Sequence, residues 1–143
     1  MIDREARDLA VRAARIGDAL KATDILVLQV GDVLALTEYF VVLSGSNRRL
    51  VDALVEEVEA RVRGATDRSP VRVEGARENQ WVLIDYGDVV VHVFLSEIRE
   101  FYEIERLYTD VPKVDWAGSG VEGGSVFGSM DDPADPIEPT GTD

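Results

Sequence analysis

Two apolar segments joined by one tight turn constrain the fold of this chain more than any other feature. Trp81-Val82-Leu83-Ile84-Asp85-Tyr86 is followed by Gly87-Asp88 and then by Val89-Val90-Val91-His92-Val93-Phe94. A two-residue loop with Gly first predicts a type II′ hairpin. That turn sets the register: Tyr86 lies opposite Val89, Asp85 opposite Val90, Ile84 opposite Val91, Leu83 opposite His92, Val82 opposite Val93 and Trp81 opposite Phe94. Val82, Ile84, Tyr86, Val89, Val91 and Val93 share one face, nearly all aliphatic, and are predicted core. The other face carries Trp81, Leu83, Asp85, Val90, His92 and Phe94, too apolar for plain solvent and too polar for a dry core. Aromatic anchors beside rim charges make up protein interfaces, so one reading of this face is a docking surface. The other reading buries it under the first helix, with His92 and Asp85 hydrogen-bonded at its margin. The residues leave both readings open.

The flanking segments supply the layers. An amphipathic helix is predicted over about Asp3 to Lys21, with Ala6, Leu9, Ala10, Ala13, Ile16 and Leu20 at helical spacing. Its narrow, Ala-rich side should pack closely on something larger. Ile25 to Val30 reads as a strand apolar on both faces, ended by a turn at Gly31-Asp32. A second strand, Tyr39 to Leu43, leads to Ser44-Gly45-Ser46-Asn47, where Ser46 or Asn47 caps a helix from about Arg48 to Arg63 that Gly64 terminates. A short strand at Val71 to Glu74 precedes the polar loop Gly75 to Gln80. After the hairpin, Ser96 caps a last helix, Glu97 to Tyr108, with Ile98, Phe101, Tyr102, Ile104 or Glu105, and Leu107 along one side. Its many charges read as a solvated face, unless it lies beside the hairpin, where Tyr102 and Glu103 extend the docking surface. This order predicts an α/β domain built on a mixed sheet with flanking helices.

From Pro112 onward the character changes: Gly118 to Asp143 is rich in Gly, Ser, Pro and Asp with few large apolar residues, and such a segment buries too little surface to offset its ordering entropy. The expected division is a folded domain at 1–112 and a disordered acidic tail at 113–143. The tail holds seven acids and one Lys, and the whole chain carries a net charge of −13. That charge argues against coating nucleic acid, because phosphate contacts need Lys and Arg, and makes a basic protein the expected partner. No run approaches the roughly 18 apolar residues of a membrane span, and the first residues lack a signal-peptide layout, so a cytoplasmic location is expected.

Catalytic chemistry finds little footing. With no cysteine and a single His92, thiolate and multi-imidazole sites are excluded. Gly45-Ser46 before a helix resembles the entry of nucleotidyltransferases, which also need an Asp-x-Asp pair for two magnesium ions. No such pair occurs in the folded part, and Asp85 and Asp88 sit three apart across the turn. No serine elbow or Gly-rich phosphate loop is present. The expectation is no enzyme, no metal and no cofactor.

Taken together, Asp24-Ile25, Thr37-Glu38-Tyr39-Phe40-Val41-Val42 with Ser44-Gly45, Val73-Glu74-Gly75, the hairpin, and Arg99-Glu100-Phe101-Tyr102-Glu103-Ile104-Glu105-Arg106-Leu107 resemble the Iojap-like ribosomal silencing factors. The resemblance spans about Asp3 to Val111, with Glu38 where the family commonly has Asp. It implies a nucleotidyltransferase-like fold lacking the catalytic acids. It further implies binding to the large ribosomal subunit through ribosomal protein fourteen at the intersubunit face. Occupancy there would block joining of the small subunit and repress translation when nutrients are scarce. Carried over by position, the contact patch comprises Trp81 as apolar anchor with Asp85, Tyr102 and Glu103, and Leu83, His92 and Phe94 as neighbours. Family resemblance also implies a homodimer. The competing reading is a dimeric adaptor for another basic protein.

Overall fold

The computed structural model describes residues 4–118. The chain runs α1 (Arg4–Ala19), β1 (Thr23–Gln29), α2 (Gly31–Leu34), β2 (Tyr39–Gly45), α3 (Arg48–Thr66), β3 (Arg72–Glu74), β4 (Trp81–Asp85), β5 (Val89–Leu95) and α4 (Ser96–Tyr102). A 3-10 turn at Ile104–Tyr108 follows. The strands form one mixed sheet in the order β1-β2-β5-β4-β3. Only β2 and β5 are parallel; the other neighbours pair antiparallel. This is the α/β architecture expected from the order of apolar segments.

The hairpin adopts the predicted register, from Trp81 opposite Phe94 to Asp85 opposite Val90. Tyr86 N–H donates to the Val89 carbonyl at 2.8 Å, and Gly87 takes φ of 91°, as the first turn position of a II′ loop requires. Val82, Ile84, Val89, Val91 and Val93 are fully buried on one face. There they join α1 and α3 in the larger core cluster. The alanine stripe of α1 is what allows close approach. Ala6, Ala10, Ala13 and Ala14 are fully buried, and a Cβ at Gly17 would meet a Leu43 methyl at 2.7 Å. Asn47 caps α3, its side chain accepting from Leu50 N–H at 2.8 Å.

Four local expectations are corrected. Gly31-Asp32 opens the short helix α2 rather than a simple turn, and Ala35 closes it in the left-handed region. Gly64 does not end α3. It lies on an exposed face with nothing near its missing Cβ, and the helix continues to Thr66 and stops at left-handed Asp67. The last helix is not continuous to Tyr108, because Glu103 at φ of 50° breaks it into α4 and the 3-10 turn. Ser96 does not cap it; its hydroxyl donates to the Gly45 carbonyl.

The boundary at Pro112 is also set too early. Gln29 N–H donates to the Pro112 carbonyl, Lys113 bridges Leu28, and Val114 N–H donates to the Val27 carbonyl. Residues 112–114 thus extend the sheet beyond β1. Trp116 packs on the larger core and donates to the Ile25 carbonyl at 3.3 Å. Composition hid this because three backbone-paired residues and one Trp suffice to hold the segment. The expected disorder from 119 onward lies outside the described residues.

Candidate functional site

The second face of the sheet divides into a covered and an open half. Over β1, β2 and β5, a smaller cluster of Leu28, Val30, Phe40, Val42 and Phe94 is roofed by Ile104 and Val111. Its cover is therefore the 3-10 turn and the segment after it, whereas α1 lies on the opposite face. Burial of the hairpin's mixed face under the first helix is overturned. Among the described residues no such roof lies over β4 and β3 on this face, and Arg72 and Glu74 of β3 stand beside Asp85 and Leu83 in the paired register. Trp81 lies on the seam.

Arg99 sets where the roof ends. The residue is 4% exposed, and its guanidinium donates to Ser44 Oγ at 2.7 Å and reaches Glu105 Oε1 at 3.4 Å. One side chain thus ties α4 to β2 and draws the chain back after Glu103. A continuous helix could not return Glu105 in this way, which accounts for the break. Because the chain turns here, Phe101 and Leu107 point outward, 77% and 75% exposed, instead of lining the buried side of a helix. Tyr102, half exposed, meets Trp81 with ring centroids 5.1 Å apart, and Phe101 meets Tyr102 edge-on. Phe101, which sequence reasoning had not included, joins Trp81 and Tyr102 in this exposed aromatic group; no period-3.6 pattern shows where a helix breaks.

The expected site residues separate by depth. Trp81 and Leu83 are half-buried, and Tyr102 and Glu103 are exposed. His92 and Phe94, expected as neighbours in the contact patch, are 4% and 0% exposed and form its floor. Trp81 stacks on Phe94 at 4.8 Å and donates its indole N–H to His92 Nδ1 at 3.1 Å, across a diagonal of the hairpin. Burial pushes the His92 imidazole down from 6.5 to about 4, so it is neutral near pH 7.

The acids are less free than their positions in the sequence suggest. Asp85 accepts from Gly87 N–H at 2.8 Å, closing the turn, and from Arg72 Nε at 3.2 Å. It lies four residues along β4 from Trp81, roughly 13 Å at 3.3 Å per residue. Glu103 pairs with Arg106 at 2.8 Å. A polar cleft of about 580 Å³ adjoins Glu103, lined also by Asp24, Ser96, Arg99, Glu100, Glu105 and Arg106. Among the described residues no group of three or more His, Cys, Asp or Glu is placed to hold a metal ion. Nor is any described helix long and apolar enough to cross a membrane.

Residues 3–134 match the family described as ribosomal silencing factor during starvation. A ribosomal silencing factor of Halalkalibacterium halodurans is 34% identical over 120 residues, covering 82% of this chain and 97% of that protein. The chloroplastic Iojap protein of Zea mays is 34% identical over 113 residues, covering 79% of this chain but 49% of its own length, so the chain spans about half of that relative. A crystal structure of a Chromobacterium violaceum protein superposes with a TM-score of 0.66 at 35% identity, covering 76% of this chain and 88% of that one.

Proposed function

The chain belongs to the ribosomal silencing factor family, non-enzymatic regulators, and from that membership we propose that it docks on the large ribosomal subunit through the Trp81–Tyr102 surface. Ribosomal protein fourteen, at the intersubunit face, is the partner we assign. Occupancy there obstructs the small subunit and lowers translation under nutrient limitation, in the cytoplasm where subunits join. The observation that carries the reading is the pairing of half-buried Trp81 with exposed Tyr102, Phe101 beside them and Glu103 at the edge. Large aromatics held in place at a solvent boundary supply most binding energy in protein interfaces, and acidic rims favour a basic partner. A homodimer through the same aromatics would compete with docking.

Co-sedimentation of the full chain with isolated large subunits tests the proposal. An anchoring Trp contributes about 2 kcal/mol, so Trp81→Ala should weaken association roughly thirtyfold. Added in excess, wild-type protein should also slow subunit reassociation followed by light scattering. Association unchanged in Trp81→Ala would remove this surface from the function.

A further inference from the structure

His92 is a poor choice for the place it occupies if packing were its only purpose. The imidazole is 4% exposed, and its Nε2 has no hydrogen-bond partner among the described residues. Because Nδ1 accepts the Trp81 indole proton, the neutral ring carries its own proton on Nε2, and that donor is left without an acceptor. An orphaned buried donor costs stability, and a Phe or Leu of similar bulk would avoid it. Beside Phe40, which meets the ring edge-on at 4.5 Å, and Phe94 at 6.3 Å, an apolar residue would suit the surroundings better. Among the described residues, the one side-chain hydrogen bond of His92 is to Trp81.

We propose that His92 is the positioning residue of the docking surface: it draws the indole N–H of Trp81 inward and locks the ring flat on Phe94, so that Trp81 offers its partner carbon alone. This rests on the docking reading of Trp81. Two consequences follow from the geometry. The ring's orientation is settled before the partner arrives, which removes an ordering cost from binding. The group seated on Trp81 also needs no acceptor opposite the indole; the aliphatic stem of a Lys or Arg fits, its cation directed to Glu103.

The test uses full-length chain carrying Trp116→Phe, so that Trp81 is the sole tryptophan, and isolated large ribosomal subunits as the probe. His92→Phe keeps a ring and removes the acceptor. His92→Asn keeps an acceptor, its Oδ1 standing on Cγ where Nδ1 stood. His92→Phe should weaken association roughly tenfold and speed the anisotropy decay of Trp81, while His92→Asn restores both to within about threefold. In a Trp81→Phe background, which has no indole N–H, the step from His92 to Phe should cost nothing further. Additive losses in that double variant would mean His92 acts through general packing, and would overturn the proposal. So would wild-type affinity in His92→Phe while Trp81→Ala binds weakly. If Trp81→Ala binds as wild type, the docking reading itself fails, and the positioning role with it. Should His92→Phe not fold, exchange of the indole proton in otherwise wild-type protein decides: slow exchange is expected, and exchange as fast as an exposed indole overturns the proposal.

Discussion

Acidification should weaken this fold through one residue. His92 is buried and neutral, with burial pushing its pKa down from 6.5 to about 4, while in the unfolded chain it titrates near 6.5. The folded value lies below the unfolded one, so the stability it carries is full above pH 6.5. It is lost progressively as pH falls toward 4 and changes no further below that. Each pH unit in that window corresponds to about 1.4 kcal/mol, so between pH 7.5 and 5.0 the loss is about 2 kcal/mol. Protonation would also place a proton on Nδ1, facing the Trp81 N–H that it now accepts. Urea unfolding of wild type and His92→Asn at both pH values isolates the effect. The carboxylates titrate in both proteins and cancel in the difference, whereas only wild type carries the imidazole. Wild type should lose about 2 kcal/mol more than the variant. An equal loss in both would mean His92 is solvated or bonded in its charged form, and would refute the account of its burial.

Three further perturbations probe the supports of the site. Gly75 has φ of 86°, and a Cβ there would lie 2.2 Å from the Trp81 carbonyl oxygen. Gly75→Ala should therefore cost at least about 2 kcal/mol by denaturant titration and shift the Trp81 fluorescence maximum. Arg99→Met removes the tie between α4, Ser44 and Glu105 while keeping an apolar stem; a loss of about 2 kcal/mol is expected, with faster amide exchange concentrated in residues 99–108. Trp116→Ala should lower stability by about 2 kcal/mol, because the indole packs on the main core and bonds the Ile25 carbonyl. A loss near zero would restore the fold boundary at Pro112.

What could be read from the chain alone was whatever depends on neighbours in sequence. The Gly87-Asp88 loop sets the hairpin register, and alternation then assigns every residue from Val82 to Val93 to a face, since a strand's period of two admits no other arrangement. The alanine stripe of α1 and the Asn47 cap are likewise local. So is the absence of a second imidazole, any thiol or an Asp-x-Asp pair in the folded part. Tertiary structure alone decided what lies against the second face. Whether His92 and Phe94 meet solvent depends on the 3-10 turn folding back over β2 and β5, and that return depends on Arg99 reaching Ser44, 55 residues earlier in the chain. Glu103 in the left-handed region carries no glycine to announce the break. Residues 112–116 look like tail by composition, yet they bond to a β1 edge that accepts any backbone of the right shape. Burial is a property of what covers a residue, and here the cover comes from parts of the chain that no local pattern connects to the hairpin.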